Sequence, residues 1–291
     1  MTRLKKTFFW TGLGIYGLLL FLLLTLHQLP ADKLLGKALT LWTETQTLVS
    51  AETVSFALPL SYALERVSCE ASWPQGVSKD HIETLTFGPE WSRIFYGALP
   101  LKGEANLARG RVEARMGVPL FSRGYLDAKG FAIHLEELSF LEILLDRRVS
   151  GQAEGELRLL GDVRSPVSLN GRGFLRATDG AVESKLPLAG LRTIPFRSIS
   201  AFLIIQKGVL FLNDGNIEGP AVFGTFSGEV KLDEKMSRSL LNVTAYLTPG
   251  PMVKENELAR QLVASLAPEG EPVTIRLQGT LGSPSIKWEK D

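Results

Sequence analysis

The segment Val222-Phe-Gly-Thr-Phe-Ser-Gly-Glu-Val-Lys-Leu232 alternates between two kinds of residue. Its even positions are apolar or glycine, and its odd positions are mostly polar or charged. Because successive side chains of a strand point to opposite faces of a sheet, this period of two predicts a strand. Phe226 and Val230 should share a buried face, while Thr225, Glu229 and Lys231 point to water.

The same period continues along most of the chain. From Glu52 onward, short alternating segments such as 241–247 are separated by Gly, Pro, Asn and Asp. Helical spacing interrupts them at Glu136–Leu145 and at about Lys254–Leu266. We therefore expect a mainly β protein: one elongated antiparallel layer with an apolar face and a polar face, plus a few short helices.

Four short segments rich in turn-forming residues predict reversals of the chain. Arg109-Gly110 and Lys207-Gly208 each stand between two alternating segments and predict hairpins. Thr178–Gly180 and Asn213–Asn216 predict further turns. The second of these resembles a fragment of a calcium loop, but it lacks the remaining ligands.

The N-terminal segment has a different character. Phe8–Leu26 contains no charged residue, and as a helix rising about 1.5 Å per residue it would cross the ~30 Å hydrocarbon core of a bilayer. Arg3, Lys5 and Lys6 precede it and predict a cytoplasmic N-terminus. A cleaved signal peptide and a buried helix are the alternatives; the segment after the apolar run lacks the small residues of a cleavage site.

The chain therefore divides into four predicted parts. They are a basic cytoplasmic segment, residues 1–7; a transmembrane helix, residues 8–26; an amphipathic helix, residues 30–47; and a β-rich domain, residues 48–291. The amphipathic helix would lie either on the membrane surface or against the domain behind it.

Composition argues against several kinds of chemistry. The 291 residues carry a formal net charge of +1, which disfavours a nucleic-acid partner. Three histidines and one cysteine are too few for a clustered His/Cys metal site, and no intramolecular disulfide can form. The sequence contains neither G-x-S-x-G nor S-x-x-K. We expect no catalytic residues, no cofactor and no enzymatic activity.

One central region is rich in aromatic and branched apolar residues. It lies either in an ordinary core or along a groove that holds a lipid acyl chain or an apolar segment of a partner. The residues that we assign to a candidate apolar groove are Phe202, Ile204, Phe211, Phe226 and Val230.

Two segments share a strand-turn pattern. Residues 151–161, GQAEGELRLLG, are followed by Ser165-Pro166, and residues 273–284 read VTIRLQGTLGSP. In each, an alternating strand ends in Gly, which supplies positive φ, and a short loop then closes on Ser-Pro. With the N-terminal anchor and the terminal GTLGSPSIKW, this pattern resembles the AsmA-like envelope proteins, and among them the type II secretion system protein N (GspN) family, chiefly over residues 151–288.

The resemblance implies a bacterial inner-membrane protein that crosses the bilayer once and places its C-terminal domain in the periplasm. It would be an accessory component of type II secretion that acts by binding, with the bilayer and other secretion subunits as partners. The family also implies a curved, groove-like sheet. The alternative is an AsmA-like protein that binds or transfers phospholipid.

Overall fold

The structure is a computed structural model, and it describes residues 47–57, 61–73, 76–90, 98–119, 124–145, 147–161, 165–188, 191–233, 238–257, 259–261 and 272–289. These residues contain fourteen strands: β1 (Thr47–Ala57), β2 (Ser61–Trp73), β3 (Gly76–Pro89), β4 (Ala98–Leu107), β5 (Gly110–Pro119), β6 (Tyr125–His134), β7 (Val149–Leu160), β8 (Asn170–Leu188), β9 (Leu191–Gln206), β10 (Val209–Glu218), β11 (Val222–Lys231), β12 (Leu240–Pro249), β13 (Val273–Thr280) and β14 (Ser283–Glu289). The helices with defined bounds are α1 (Ser139–Leu145), α2 (Pro251–Glu255) and two 3-10 turns, Leu135–Glu137 and Pro166–Ser168; residues 257 and 259–261 are also helical.

All fourteen strands form one antiparallel sheet in which the order in space is the order in sequence. The expected mainly β architecture, a curved antiparallel sheet with few short helices, is confirmed. The predicted membrane span, residues 8–26, lies outside the described residues. Residues 30–46 of the predicted amphipathic helix also lie outside them, and its last residue, Thr47, belongs to β1. Among the described helices, none is long and apolar enough to cross a bilayer.

The predicted hairpins and helices are largely present. β4 and β5 meet at Ala108-Arg109, and β9 and β10 meet at Lys207-Gly208; all four turn residues have positive φ, as in a type I′ turn. The predicted helix 136–145 corresponds to a 3-10 turn followed by α1. The last predicted helix, about Lys254–Leu266, is interrupted: α2 ends at Glu255, Asn256 is extended, and residues 257 and 259–261 are helical again. Residues 258 and 262–266 lie outside the described part.

Strand pairing defines two faces. One row of mutually paired residues crosses the whole sheet and contains only apolar residues, aromatic residues and glycine. We call it the central row and its side of the sheet the apolar face. From β1 to β14 it comprises Phe56, Tyr62, Phe87, Gly103, Ala114, Ala128, Leu157, Gly173, Leu203, Leu212, Gly228, Val243, Leu277 and Ile286.

The row one residue along each strand belongs to the opposite, polar face. From β4 to β14 it contains Lys102, Arg115, Asp127, Arg158, Arg172, Ile204, Phe211, Glu229, Asn242, Gln278 and Ser285. On β11 the prediction is confirmed, because Val230 is buried, Phe226 is partly buried, and Thr225 and Lys231 are exposed.

The apolar face buries side chains without a second sheet. All described strands belong to one sheet, yet Leu64, Val67, Ile205 and Val230 are buried. Connecting segments supply part of this cover, since Leu169, just before β8, belongs to one buried cluster with Leu159 and Ile205. Curvature of the sheet toward its apolar side adds to it by bringing neighbouring side chains together. The close approach at Gly171 fits this curvature: a Cβ there would collide with the carbonyl oxygen of Arg158 on β7.

Several strands contain bulges that sequence periodicity does not reveal. Asp179 and Asp214 have φ of 49° and lie where the registers of β8 and β10 shift against a neighbour. The turns predicted at Thr178–Gly180 and Asn213–Asn216 are therefore wrong, because β8 and β10 continue through them. An extra residue in a strand bends it and increases its twist, so these positions contribute to the curvature of the sheet.

Candidate functional site

The five residues of the candidate groove are divided between the two faces. Phe226 and Val230 lie on the apolar face, opposite Ala245 and Leu241 of β12. Phe202, Ile204 and Phe211 lie on the polar face, because each is one residue away from a member of the central row. No single groove can therefore contain all five.

The apolar face forms a long, open surface. Neighbouring strands lie about 4.8 Å apart, so a row across fourteen strands extends for about 60 Å along the sheet. A bilayer core of ~30 Å holds two leaflets, so an acyl chain is about 15 Å long, and the row could accommodate several chains end to end. We call this surface the apolar groove.

Aromatic rings stand at the β1 end of the groove. The Phe56 and Tyr62 ring centroids are 5.2 Å apart in an edge-on arrangement, and those of Tyr62 and Phe87 are 5.4 Å apart and stacked. Toward the middle of the sheet the groove is lined by smaller side chains and by glycine. Leu175 on β8 keeps 53% of its surface exposed although it points to the apolar face. The groove is therefore open at β8 in the described part of the chain.

One charged side chain of the apolar face, Asp80, is held by α1. The register of β3 shifts between Ile82 and Thr84, so beyond this point the inward residues are Ser78, Asp80 and Ile82, while Lys79 and His81 are exposed. Asp80 on β3 pairs with Cys69 of β2, and its Oδ1 accepts hydrogen bonds from the Ser139 backbone N–H (2.7 Å) and hydroxyl (3.1 Å). The Ser139 hydroxyl in turn accepts from the backbone N–H of Lys79 at 2.8 Å. These contacts fix α1 over one end of β3, so Asp80 serves as an anchor for the helix.

Cys69 has the environment of an unreactive thiol. Burial raises the pKa of the Cys69 thiol, and the negative charge of Asp80 raises it further. A nucleophilic cysteine needs the opposite, a cationic neighbour that favours the thiolate. This arrangement supports the reading of Cys69 as a small side chain that fills space on the apolar face.

Two carboxylates of β7, Glu154 and Glu156, have cationic partners. Arg158 donates a hydrogen bond to Glu156 (2.6 Å) and, followed by Lys129, lowers the pKa of that carboxyl. Glu154 lies 3.8 Å from Arg176. All five residues belong to the polar face, where such exposed pairs contribute little to stability.

Glu136 has a different setting, at the 3-10 turn before α1. Partial burial acts to raise its pKa, but hydrogen bonds from its own backbone N–H, from His134 (3.2 Å) and from the Gly151 N–H (3.1 Å) together lower the pKa below its usual value. These contacts join the turn to β7. Among the described residues, no group of three or more His, Cys, Asp and Glu side chains could hold a metal ion.

The comparisons with known proteins give no relative. No family model, no curated protein and no solved structure significantly matches the chain.

Sequence reasoning missed the face of β9. Phe202, Leu203, Ile204 and Ile205 are consecutive apolar residues, so alternation does not say which of them face the groove. Only the pairing of Leu203 with Leu212 and Gly173 assigns them. The sequence of β8 contains a useful signal, because polar Arg172 and Gly173 lie on opposite faces. This signal assigns the faces of β9 only once the register of β8 against β9 is known.

Proposed function

We propose that this chain is a non-catalytic envelope protein whose apolar groove binds the acyl chains of phospholipid. The observation that carries the proposal is the central row, which crosses all fourteen strands without a polar side chain other than the Tyr62 hydroxyl. Covering such a surface stabilises by about 25 cal/mol per Å² of apolar area removed from water.

The chemistry of the groove favours hydrocarbon over an extended peptide. A peptide lying across the face would bury backbone N–H and C=O groups against apolar side chains that cannot bond them, which costs about 1–3 kcal/mol per group. An acyl chain has no such groups. The length of the groove also exceeds one acyl chain, as expected for a protein that holds or passes several lipids.

A second proposal concerns the biological setting. We propose that the chain is an accessory component of type II secretion, anchored in the bacterial inner membrane by one span and exposed to the periplasm. The two strand-turn units support the resemblance behind this proposal. Gly161 and Gly279 occupy equivalent places and have φ of 131° and 113°. A Cβ on either would collide with a serine carbonyl oxygen of the following segment, Ser168 or Ser283.

The two proposals are compatible, and the material that copurifies distinguishes them. Phospholipid recovered in a fixed ratio with the full chain supports the groove. Secretion subunits recovered with it support the biological setting. The neighbouring genes test the setting independently, because a cluster of secretion components is expected around this one.

A pair of phenylalanines on β11 provides a matched test of lipid binding. Phe226 faces the groove, whereas Phe223 lies on the polar face and is 43% exposed. The full chain is purified as wild type, Phe226→Asp and Phe223→Asp, and its thermal midpoint and bound phospholipid are measured together. Because Phe226 is only partly buried in an open groove, Phe226→Asp should remain folded and lose lipid, while Phe223→Asp should keep both.

Two results would count against the groove at this position. If Phe226→Asp unfolds the sheet, Phe226 belongs to a closed core. If the variant stays folded with the lipid content of the wild type, this part of the apolar face does not contact lipid.

A further inference from the structure

We propose that two copies of the chain associate through an aromatic patch on the polar face, around a two-fold axis that runs parallel to the strands. The patch consists of Phe174, Phe202, Ile204 and Phe211 on β8, β9 and β10. Phe174 pairs with Phe202, and Ile204 pairs with Phe211, so the four side chains are adjacent.

These residues are unusual for the face that carries them. Phe174 and Phe202 retain 39% and 59% of their surface exposed among lysines, arginines and carboxylates. They line a shallow depression of about 540 Å³ together with Glu156, Arg158, Arg172 and Asp214. Exposed aromatic side chains bordered by arginine are the composition found at the centres of protein interfaces.

The charges at the two sides of the patch have opposite sign. Arg158 and Arg172 form the border on β7 and β8, while Asp214 and Glu229 form the border on β10 and β11. Within the described residues neither Arg172 nor Asp214 takes part in an ion pair, and Glu229 is 3.7 Å from Lys231. Glu156 also lies on the first border and pairs with Arg158, so two arginines less one carboxylate leave that border a net charge of +1. On the second border, two carboxylates less Lys231 leave a net charge of −1.

This asymmetry selects the partner and its orientation. A two-fold axis parallel to the strands and passing through β9 places the cationic border of one copy over the acidic border of the other, on both sides of the axis. In one residue row, Arg158 then faces Glu229 of the second copy, and Ile204 meets its own counterpart. An axis perpendicular to the strands would instead oppose like charges.

The same borders disfavour an anionic membrane as the occupant. A bilayer surface is broad and would contact both borders at once, so Asp214 and Glu229 would be repelled while Arg158 and Arg172 were attracted. A second copy satisfies both sides. Four side chains are fewer than a standard interface contributes, so the association should be weak and should depend on protein concentration.

A cysteine near the axis tests the geometry. The native Cys69 lies on the opposite face and has a raised pKa, which makes a new thiol easy to distinguish. Full chain carrying Ile204→Cys, or Tyr246→Cys as a control on the same face, is oxidised in its native membrane. Tyr246 is 48% exposed but lies outside the patch. The proposal expects a covalent dimer at position 204 only; no dimer there, or equal amounts at 246, overturns it.

Charge reversal tests the orientation. Sedimentation of the detergent-solubilised full chain should show association that weakens at least tenfold in Phe202→Ser and in Arg158→Glu. Glu229→Lys should weaken it similarly, and the double variant Arg158→Glu with Glu229→Lys should recover most of the association, because residues 158 and 229 face each other across the axis and carry opposite charges again. A wild type that stays monomeric at all concentrations, or a double variant weaker than both single ones, overturns the proposal. Lipid content at the groove is unaffected by either result, so the two proposals can fail separately.

Discussion

The two faces of the sheet differ although the same strands build them. On β7, Leu157 belongs to the apolar central row and the adjacent Arg158 belongs to the polar row. On β9 and β10 both faces are apolar, with Leu203 and Leu212 on one side and Ile204 and Phe211 on the other. The difference teaches that alternation assigns a face only where one side is polar, and that an apolar residue on the polar face needs its own explanation.

The largest difference in stability between matched substitutions on the two faces is expected when a charge is introduced. Val230 is 5% exposed on the apolar face, and Ser227 of the same strand is exposed on the polar face. Val230→Asp should destabilise by about 3–5 kcal/mol because the carboxylate has no partner there, and Ser227→Asp by less than about 0.5 kcal/mol. Chemical denaturation of the full chain checks this. Equal effects of the two substitutions would mean that the faces are assigned incorrectly.

A pair of leucines sharpens the comparison without introducing charge. Leu64 is completely buried on the apolar face, whereas Leu240 is 54% exposed on the polar face. Leu64→Ala should cost about 2–5 kcal/mol through lost transfer energy and the cavity left behind. Leu240→Ala should change stability by about 0.5 kcal/mol or less. A small effect at Leu64 would show that the apolar face is loosely packed at β2.

A third prediction concerns the bulge at Asp214 in β10. Asp214 has φ of 49°, a conformation that a β-branched residue strongly disfavours. Asp214→Val should therefore destabilise by about 1–3 kcal/mol, while Asn242→Val, in regular strand on the same polar face, should be nearly neutral or slightly stabilising. The denaturation midpoints of the two variants make the comparison. If Asp214→Val is as mild as Asn242→Val, the bulge is not required.

The smallest effect is expected from pH at Glu156. Its pKa is lowered by Arg158 and Lys129, so the folded state favours the carboxylate. Its stabilising contribution is therefore present above the unfolded pKa of about 4.3 and disappears as pH falls through the lower folded value. The thermal midpoint of Glu156→Gln should be slightly lower than that of the wild type at neutral pH and equal to it in acid. A difference between the two midpoints that grows as pH falls would contradict the expected direction of the pKa shift.

Much of the fold could be predicted from the sequence, because polar and apolar residues alternate cleanly in strands such as β11. The face of β9 could not be predicted, since its consecutive apolar residues fit either register and pairing with β8 and β10 decides between them. The bulges at Asp179 and Asp214 were also missed. Asp-Gly following a polar residue reads as a turn, and only long-range pairing on both sides shows that the strand continues.

The central claim is that the apolar face contacts lipid and the polar face does not. Its most direct test places a photo-crosslinking phenylalanine analogue at Phe226 or at Phe223 of the full chain, in cells whose phospholipids carry radiolabelled phosphate. Irradiation should attach labelled phospholipid at position 226 and little or none at position 223. Equal labelling at the two positions, or none at 226 in a folded chain, would contradict the account.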